Sequence, residues 1–198
     1  MEFQDVVRKR RMVRSFEARP LPGDVVERIL SNALRAPSAG FSQGWAFLVL
    51  DGPEQTRTYW DAVGPGDRDS FRFQELYNAP LLVVCLSNKA AYLARYAEPD
   101  KGWTDRSEDR WAAPYWDIDT GMAALLMLLT AVDAGLGALF FGLPPNKHKA
   151  LRDRFGIPAE LRPIGTVAVG YPSAHDLPSR SLDRGHRPVE DVMHRGRW

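Results

Sequence analysis

The sequence predicts a layered α/β or α+β domain, and three observations carry that prediction. Four short apolar runs, at residues 46–50, 80–87, 138–142 and 164–172, have the length and branching of buried strands. Stretches with helical period lie between them, so strands and helices alternate along the chain. The length of 198 residues suits a single domain, 1–198, with a sizeable core.

Residues 3–9 predict a short helix that delivers Arg10, Arg11 and Arg14 at its C-terminal end. Over 24–35, Val25, Val26, Ile29, Leu30, Ala33 and Leu34 fall on one 3.6-residue face. Pro37 stops that helix, because the residue before a proline avoids helical geometry. Ala46–Leu50 then forms a strand closed by the turn Asp51-Gly52-Pro53. Helices are expected over 54–62 and near 70–77, followed by the leucine- and valine-rich strand 80–87 and a helix at 89–97.

Residues 98–116 mix proline, glycine, tryptophan and charge without apolar period. A loop this long inside a compact domain is usually functional, so an active-site loop or lid is expected there. The longest apolar run, Gly121–Val132, predicts a helix from about Ile118 to Asp133, buried on nearly all sides. The run falls short of the roughly 18–20 residues needed to span a bilayer. Gly135-Leu136-Gly137 closes the helix, and a strand, a helix near 146–154 and the last strand follow. Residues 172–198 have little periodicity and predict a C-terminal extension that needs another subunit to lie against.

Composition excludes several classes. The formal charge is +1, from 26 basic and 25 acidic residues, so no broad basic field points to nucleic acid. The lone Cys85 cannot form an intramolecular disulfide and sits in an apolar run as a small buried hydrophobe. The N-terminal residues carry early acidic groups and no continuous apolar segment, so a cytoplasmic protein without a membrane partner is expected. His148, His175, His186 and His194 lack metal-ligand spacing, and no metal is expected. No glycine-rich GxGxxG loop and no Ser-His-Asp arrangement can be argued, and no catalytic acid or base is assigned.

The chemistry lies in two short segments. Arg10-Arg11-Met12-Val13-Arg14-Ser15-Phe16 presents three planar guanidinium forks that match phosphate oxygens. At helical spacing Arg10 and Arg14 share a face and Arg11 points elsewhere. Ala36-Pro37-Ser38-Ala39-Gly40 leaves a helix through small residues that let backbone and a hydroxyl approach a flat ligand. Tyr92, Tyr96, Trp103, Trp111, Tyr115 and Trp116 make either a lid that stacks on a planar substrate or the anchors of a long loop. Asp117 and Asp119 are expected to cap the helix that follows.

In order and spacing these segments resemble the FMN-dependent nitroreductase family. The family shows an Arg-Arg-Ser-Val-Arg-x-Phe segment, then Ala-Pro-Ser-Ala-x-Asn-x-Gln-Pro-Trp, Gly-Leu-Gly and Val-Gly-Tyr-Pro, and a Pro-x-Glu-Asp tail. This chain has Arg10–Phe16, Ala36-Pro37-Ser38-Ala39-Gly40-Phe41-Ser42-Gln43-Gly44-Trp45, Gly135-Leu136-Gly137, Val169-Gly170-Tyr171-Pro172 and Arg187-Pro188-Val189-Glu190-Asp191. The resemblance covers nearly the whole chain. It implies an α+β fold with a central mixed β-sheet flanked by helices and a C-terminal tail exchanged in a homodimer.

The same resemblance implies FMN as cofactor and NAD(P)H as transient electron donor. Arg10 and Arg11 would hold the phosphate or ribityl chain, beside Met12, and Arg14 would lie near the N1/O2 edge of the ring. Pro37, Ser38 and Ala39 would come from the other subunit, and Phe140, Phe141 and Gly142 would run along the ring. Arg187, with Arg184, would complete the phosphate site, and Arg72 would reach the pyrimidine edge. Phe41, Tyr115 and Trp116 are the substrate-side candidates. The implied reaction passes hydride to a small planar acceptor, a nitroaromatic or a quinone.

Three departures bear on the substrate: Met12 replaces a serine, Phe41 an asparagine and Gly44 a proline. They keep open other flavin chemistry on the same fold, namely dehydrogenation, dehalogenation, flavin breakdown or deazaflavin use. A flavin-binding protein without turnover is the remaining alternative.

Overall fold

A computed structural model describes residues 1–64 and 71–198. Among these residues six α-helices and four strands follow in order: α1 Phe3–Lys9, α2 Gly23–Ala33, β1 Trp45–Asp51, α3 Pro53–Val63, β2 Leu81–Asn88, α4 Lys89–Tyr96, α5 Tyr115–Asp133, β3 Gly137–Phe141, α6 His148–Phe155 and β4 Leu161–Gly170. The expected helix near 70–77 is a short 3₁₀ helix, Gln74–Asn78; position 70 lies outside the described residues. The strands form one sheet in the order β1-β2-β4-β3, antiparallel throughout. The mixed character is confined to one isolated parallel bridge, Met12 to Ala138.

The absence of polar alternation in β2 has a structural reason. Both faces of the strand are covered, and every residue from Leu81 to Ser87 is buried. Side chains alternate between the faces. Leu81, Val83 and Cys85 pack with Val167 and Val169 beneath α2 and α5, whereas Leu82, Val84 and Leu86 join Tyr59, Trp60 and Leu151 of α3 and α6 on the opposite face.

Helix α5 differs from expectation. It begins three residues early, at Tyr115, and has 19 residues, enough by length and composition to cross a membrane. Half of that apolar window is buried inside the domain, as in a core helix. It is not covered on all sides. Ala123, Ala124, Met127 and Ala131 face the sheet, but Tyr115, Ile118, Met122 and Leu125 remain 39–46% exposed. These four recur at spacings of three, four and three, which is one continuous stripe.

Burial also sets two titrations. The Cys85 thiol and the Tyr59 phenol are pushed up to about 12 by burial, from ordinary values of 9.0 and 10.0, although Tyr59 keeps a 2.8 Å hydrogen bond to Thr166. Each group ionises first in the unfolded chain, so the folded state binds more protons as pH rises past 9. Stability should therefore be complete below about pH 9 and fall progressively toward pH 12, measured as the urea midpoint at each pH. A midpoint that stays flat across this range would contradict it. Cys85 should also resist thiol reagents at pH 8 until the chain unfolds.

Candidate functional site

The arginine segment is extended rather than helical. Helix α1 ends at Lys9, Met12 bridges Ala138, and the Val13 amide donates to the Ala138 carbonyl at 3.0 Å. This replaces the expected pairing of Arg10 and Arg14 on a helix. An extended chain has a two-residue period, which puts Arg10, Met12 and Arg14 on one side and Arg11 and Val13 on the other. Val13 is buried against Gly137, where an added Cβ would come within 2.8 Å of its side chain.

An acid far along the chain holds this segment in place. Asp176, with a side chain only 1% exposed, accepts from the Arg14 amide at 2.7 Å and the Ser15 amide at 3.0 Å, and it pairs with the Arg11 guanidinium. Arg11 is thereby committed to a protein carboxylate. The Arg10 side chain makes no hydrogen bond or ion pair among the described residues, and the Arg14 guanidinium donates only to the Met12 carbonyl, at 3.2 Å. Arg14 and Arg72 lie 5.7 and 5.3 Å from the same ring, Phe73, so the structure gathers them.

A hollow of about 210 Å³ opens beside them, lined by Ser15, Arg72, Phe73, His175 and Arg180. The tail arginine that lines it is Arg180; Arg184 and Arg187 lie on the exposed tail, where Arg187 donates to the Asp191 carbonyl. Nearby, Glu75 is held below the usual carboxylate range by the Ser173 hydroxyl and by His175, which sits 2.8 Å away.

Phe140 and Phe141 close β3 and point to opposite faces of the sheet. Phe140 packs over Gly165, where an added Cβ would come within 2.3 Å of the ring, and Phe141 stacks on Trp60 at 5.6 Å. Gly142 follows at the strand end with open space beside it.

The second segment forms a strained turn. Gly40, Phe41 and Gln43 all have positive φ, and the Phe41 ring is 74% exposed. Positive φ is uncommon in non-glycine residues and marks a conformation held by its surroundings. Ser38 Oγ accepts from the Gln43 amide at 3.0 Å, and Arg95 Nε donates to the Gly40 carbonyl at 2.9 Å.

Asp119 does not cap α5, as the sequence had suggested. It is buried, and one of its oxygens accepts from both the Ala39 amide at 2.8 Å and the Tyr92 hydroxyl at 2.7 Å. Asp117 instead accepts from the Ser87 hydroxyl and pairs with Arg162. Burial, and then Asp119, raise the Tyr92 phenol far above its ordinary value. Gly44 replaces the family's proline for a visible reason: an added Cβ would come within 2.4 Å of the Tyr92 ring.

The aromatic residues of the long loop converge on Trp111, whose ring contacts Tyr92, Tyr96, Trp103, Tyr115 and Trp116 at centroid distances of 4.5–5.9 Å. Loop, α4, α5 and the strained turn are thus one packed unit. It stands apart from the arginine segment. Asp119 lies near the start of α5, whereas Ala138 follows its end. The helical rise from Asp119 to Asp133 is about 21 Å at 1.5 Å per residue.

The nitroreductase family model matches residues 7–171, which takes in both segments and every strand. The chain belongs to the nitroreductase family. It is therefore an oxidoreductase.

A relative from Archaeoglobus fulgidus, named "Putative NADH dehydrogenase/NAD(P)H nitroreductase", is 30% identical over 202 residues, covering 100% of this chain and 99% of the relative. An iodotyrosine deiodinase of Drosophila melanogaster is 27% identical over 85% of this chain and 61% of its own length. The fold matches a Staphylococcus epidermidis structure described as a "putative NAD(P)H:FMN oxidoreductase" with TM-score 0.70, at 17% identity over 98% of this chain and 95% of that one.

Asp176 and Arg180 escaped the sequence reading, and Asp119 was expected there only as a helix cap. If Asp176 anchors the nitroreductase arginine segment, Asp176→Ala should cost about 1–3 kcal/mol in urea denaturation, because two amides lose their acceptor. Arg11→Ala should cost under about 1 kcal/mol, since its side chain is 44% exposed. Equal losses would assign the anchoring to the ion pair instead.

Proposed function

We propose that this chain is one half of a homodimeric enzyme that binds FMN between subunits and passes hydride from NAD(P)H to a small planar acceptor. One observation carries the reading. The two segments suited to the cofactor stand at opposite ends of α5, and an exposed apolar stripe runs along that helix from Tyr115 to Leu125. A two-fold axis through that stripe sets one chain's turn against its partner's arginine segment, completing two sites at once. The A. fulgidus relative's name and the flavin named in the S. epidermidis structure support this reading.

The residues present fit the cofactor. Arg10 is a cation without an anion among the described residues, as a phosphate site requires. Arg14, held against Phe73 with Arg72, sets fixed positive charge at the ring edge and lowers the cost of negative charge there. Met12 lies between them on the same side. FMN supplies the hydride chemistry when bound; the protein positions it and tunes its potential. Pro37, Ser38 and Ala39 reach it from the partner on a turn whose shape Asp119 maintains. Phe140, Phe141 and Gly142 border it at the end of β3, and Arg184 and Arg187 approach its phosphate when the tail lies on the partner.

Phe41, Tyr115 and Trp116 form the acceptor side. The deiodinase relative favours a second reading in which the same flavin serves reductive dehalogenation.

Purified protein should carry a yellow chromophore that releases as FMN and bleaches under anaerobic NADH or NADPH. Protein that stays colourless after incubation with FMN would remove the cofactor assignment. Arg14→Ala should slow bleaching roughly tenfold or more, the size of one lost charge-assisted contact. Met122→Lys places a charge in the stripe and should give a monomer by sedimentation that no longer retains flavin. A Met122→Lys monomer that keeps flavin at wild-type affinity would contradict a shared site.

A further inference from the structure

A cavity of about 420 Å³ lies where the loop at Ala18–Pro20 meets the first turn of α3 and the start of β2. Neither the arginine segment nor the turn at 37–43 lines it. Among the described residues its charged lining is Arg19 and Arg57, with no carboxylate. Neither guanidinium makes an ion pair or hydrogen bond among the described residues; that of Arg19 is instead packed 3.9 Å from the centre of the Tyr171 ring. The first turn of α3 also contributes, and no side chain caps that helix.

The remaining walls are flat and apolar, with Pro53, Trp60 and Tyr77 prominent. Trp60 is 6% exposed, and its indole N–H has no hydrogen-bond partner among the described residues. Like charges gathered on a concavity without a counter-charge concentrate anions there. Planar forks suit an oxyanion, and aromatic walls suit a flat body. The volume lies within the range of small-molecule sites.

We propose that this cavity is a second ligand site, separate from the flavin site, for a flat organic carboxylate. Arg57 pairs with the carboxylate, Arg19 adds charge, and Trp60 and Tyr77 contact the body. The Trp60 ring also stacks on Phe141 at an interplanar angle of 12°, so an occupant touches the ring that backs the end of β3. The site stands whether or not the chain uses FMN.

Isothermal titration of the intact protein with benzoate tests it. Saturable binding is expected at roughly millimolar Kd or tighter, the range open to so small a ligand. Arg57→Ala should weaken it about tenfold and Arg57→Lys by less, because the fork is lost but the charge is kept. Arg14→Ala should leave it unchanged. Benzoate binding that responds to Arg14→Ala and not to Arg57→Ala would place the ligand at the flavin site and overturn the proposal. Absence of saturable binding would overturn it too, as would inorganic phosphate binding as tightly as benzoate, since the flat walls would then contribute nothing.

Discussion

The packing of α5 against the sheet is the constraint on which the rest of the structure depends. Alanines at 123, 124 and 131 let the helix sit close to β2 and β4, with Met127 filling the space between. A helix so closely seated cannot shift without opening the core, since interiors are packed to crystal density. Everything at its ends inherits that rigidity. Near the start, Asp119 holds the turn at 38–43; past the end, Ala138 receives the arginine segment. Thr130 ties α2 alongside through a 3.0 Å bond from Asn32.

The strained turn shows how a local cost is met by its surroundings. Two non-glycine residues at positive φ would revert to ordinary conformations in a free loop, at a gain of order 1–3 kcal/mol each. Here the reversion would break the Ala39 bond to Asp119 and the Gly40 bond to Arg95. It would also take from a buried carboxylate one of its two donors, leaving only Tyr92. Gly44 and Tyr92 belong to the same solution, because the space a proline would occupy holds the phenol ring that satisfies Asp119. The departure at Gly44 is therefore a change in how the turn is supported.

Much of this was legible in the sequence, for reasons that also mark the limit. Continuous apolar runs such as Leu81–Leu86 announce strands covered on both faces, and α2 declares itself by its single apolar face. Helix α5 lacks polar residues through its middle, so its sequence could not distinguish the face against the sheet from the stripe left open. The arginine segment looked helical because its charges recur at four-residue spacing, but Val13 and the bridge at Met12 draw it out along β3. Asp176 lies more than 160 residues from the amides it satisfies, and nothing local to it signals that partnership. Asp119 has an ordinary reading near a helix start; only the fold brings Ala39 and Tyr92 to it.

The separation of the two segments carries a thermodynamic consequence for the proposed dimer. A cofactor held by groups from both chains binds the dimer and not the monomer, so its affinity and the dimer's stability are linked. The stripe of Tyr115, Ile118, Met122 and Leu125 supplies the sequence-independent part of association by burying apolar surface. The arginines and the turn supply the part that exists only when a phosphate-bearing ligand lies between them. The rigid α5 sets both the distance from turn to arginine segment and the stripe through which the partner is aligned. In the proposed dimer, a substitution on the outer face of α5 therefore acts on the proposed flavin site without touching it, through the fraction of chains that are paired.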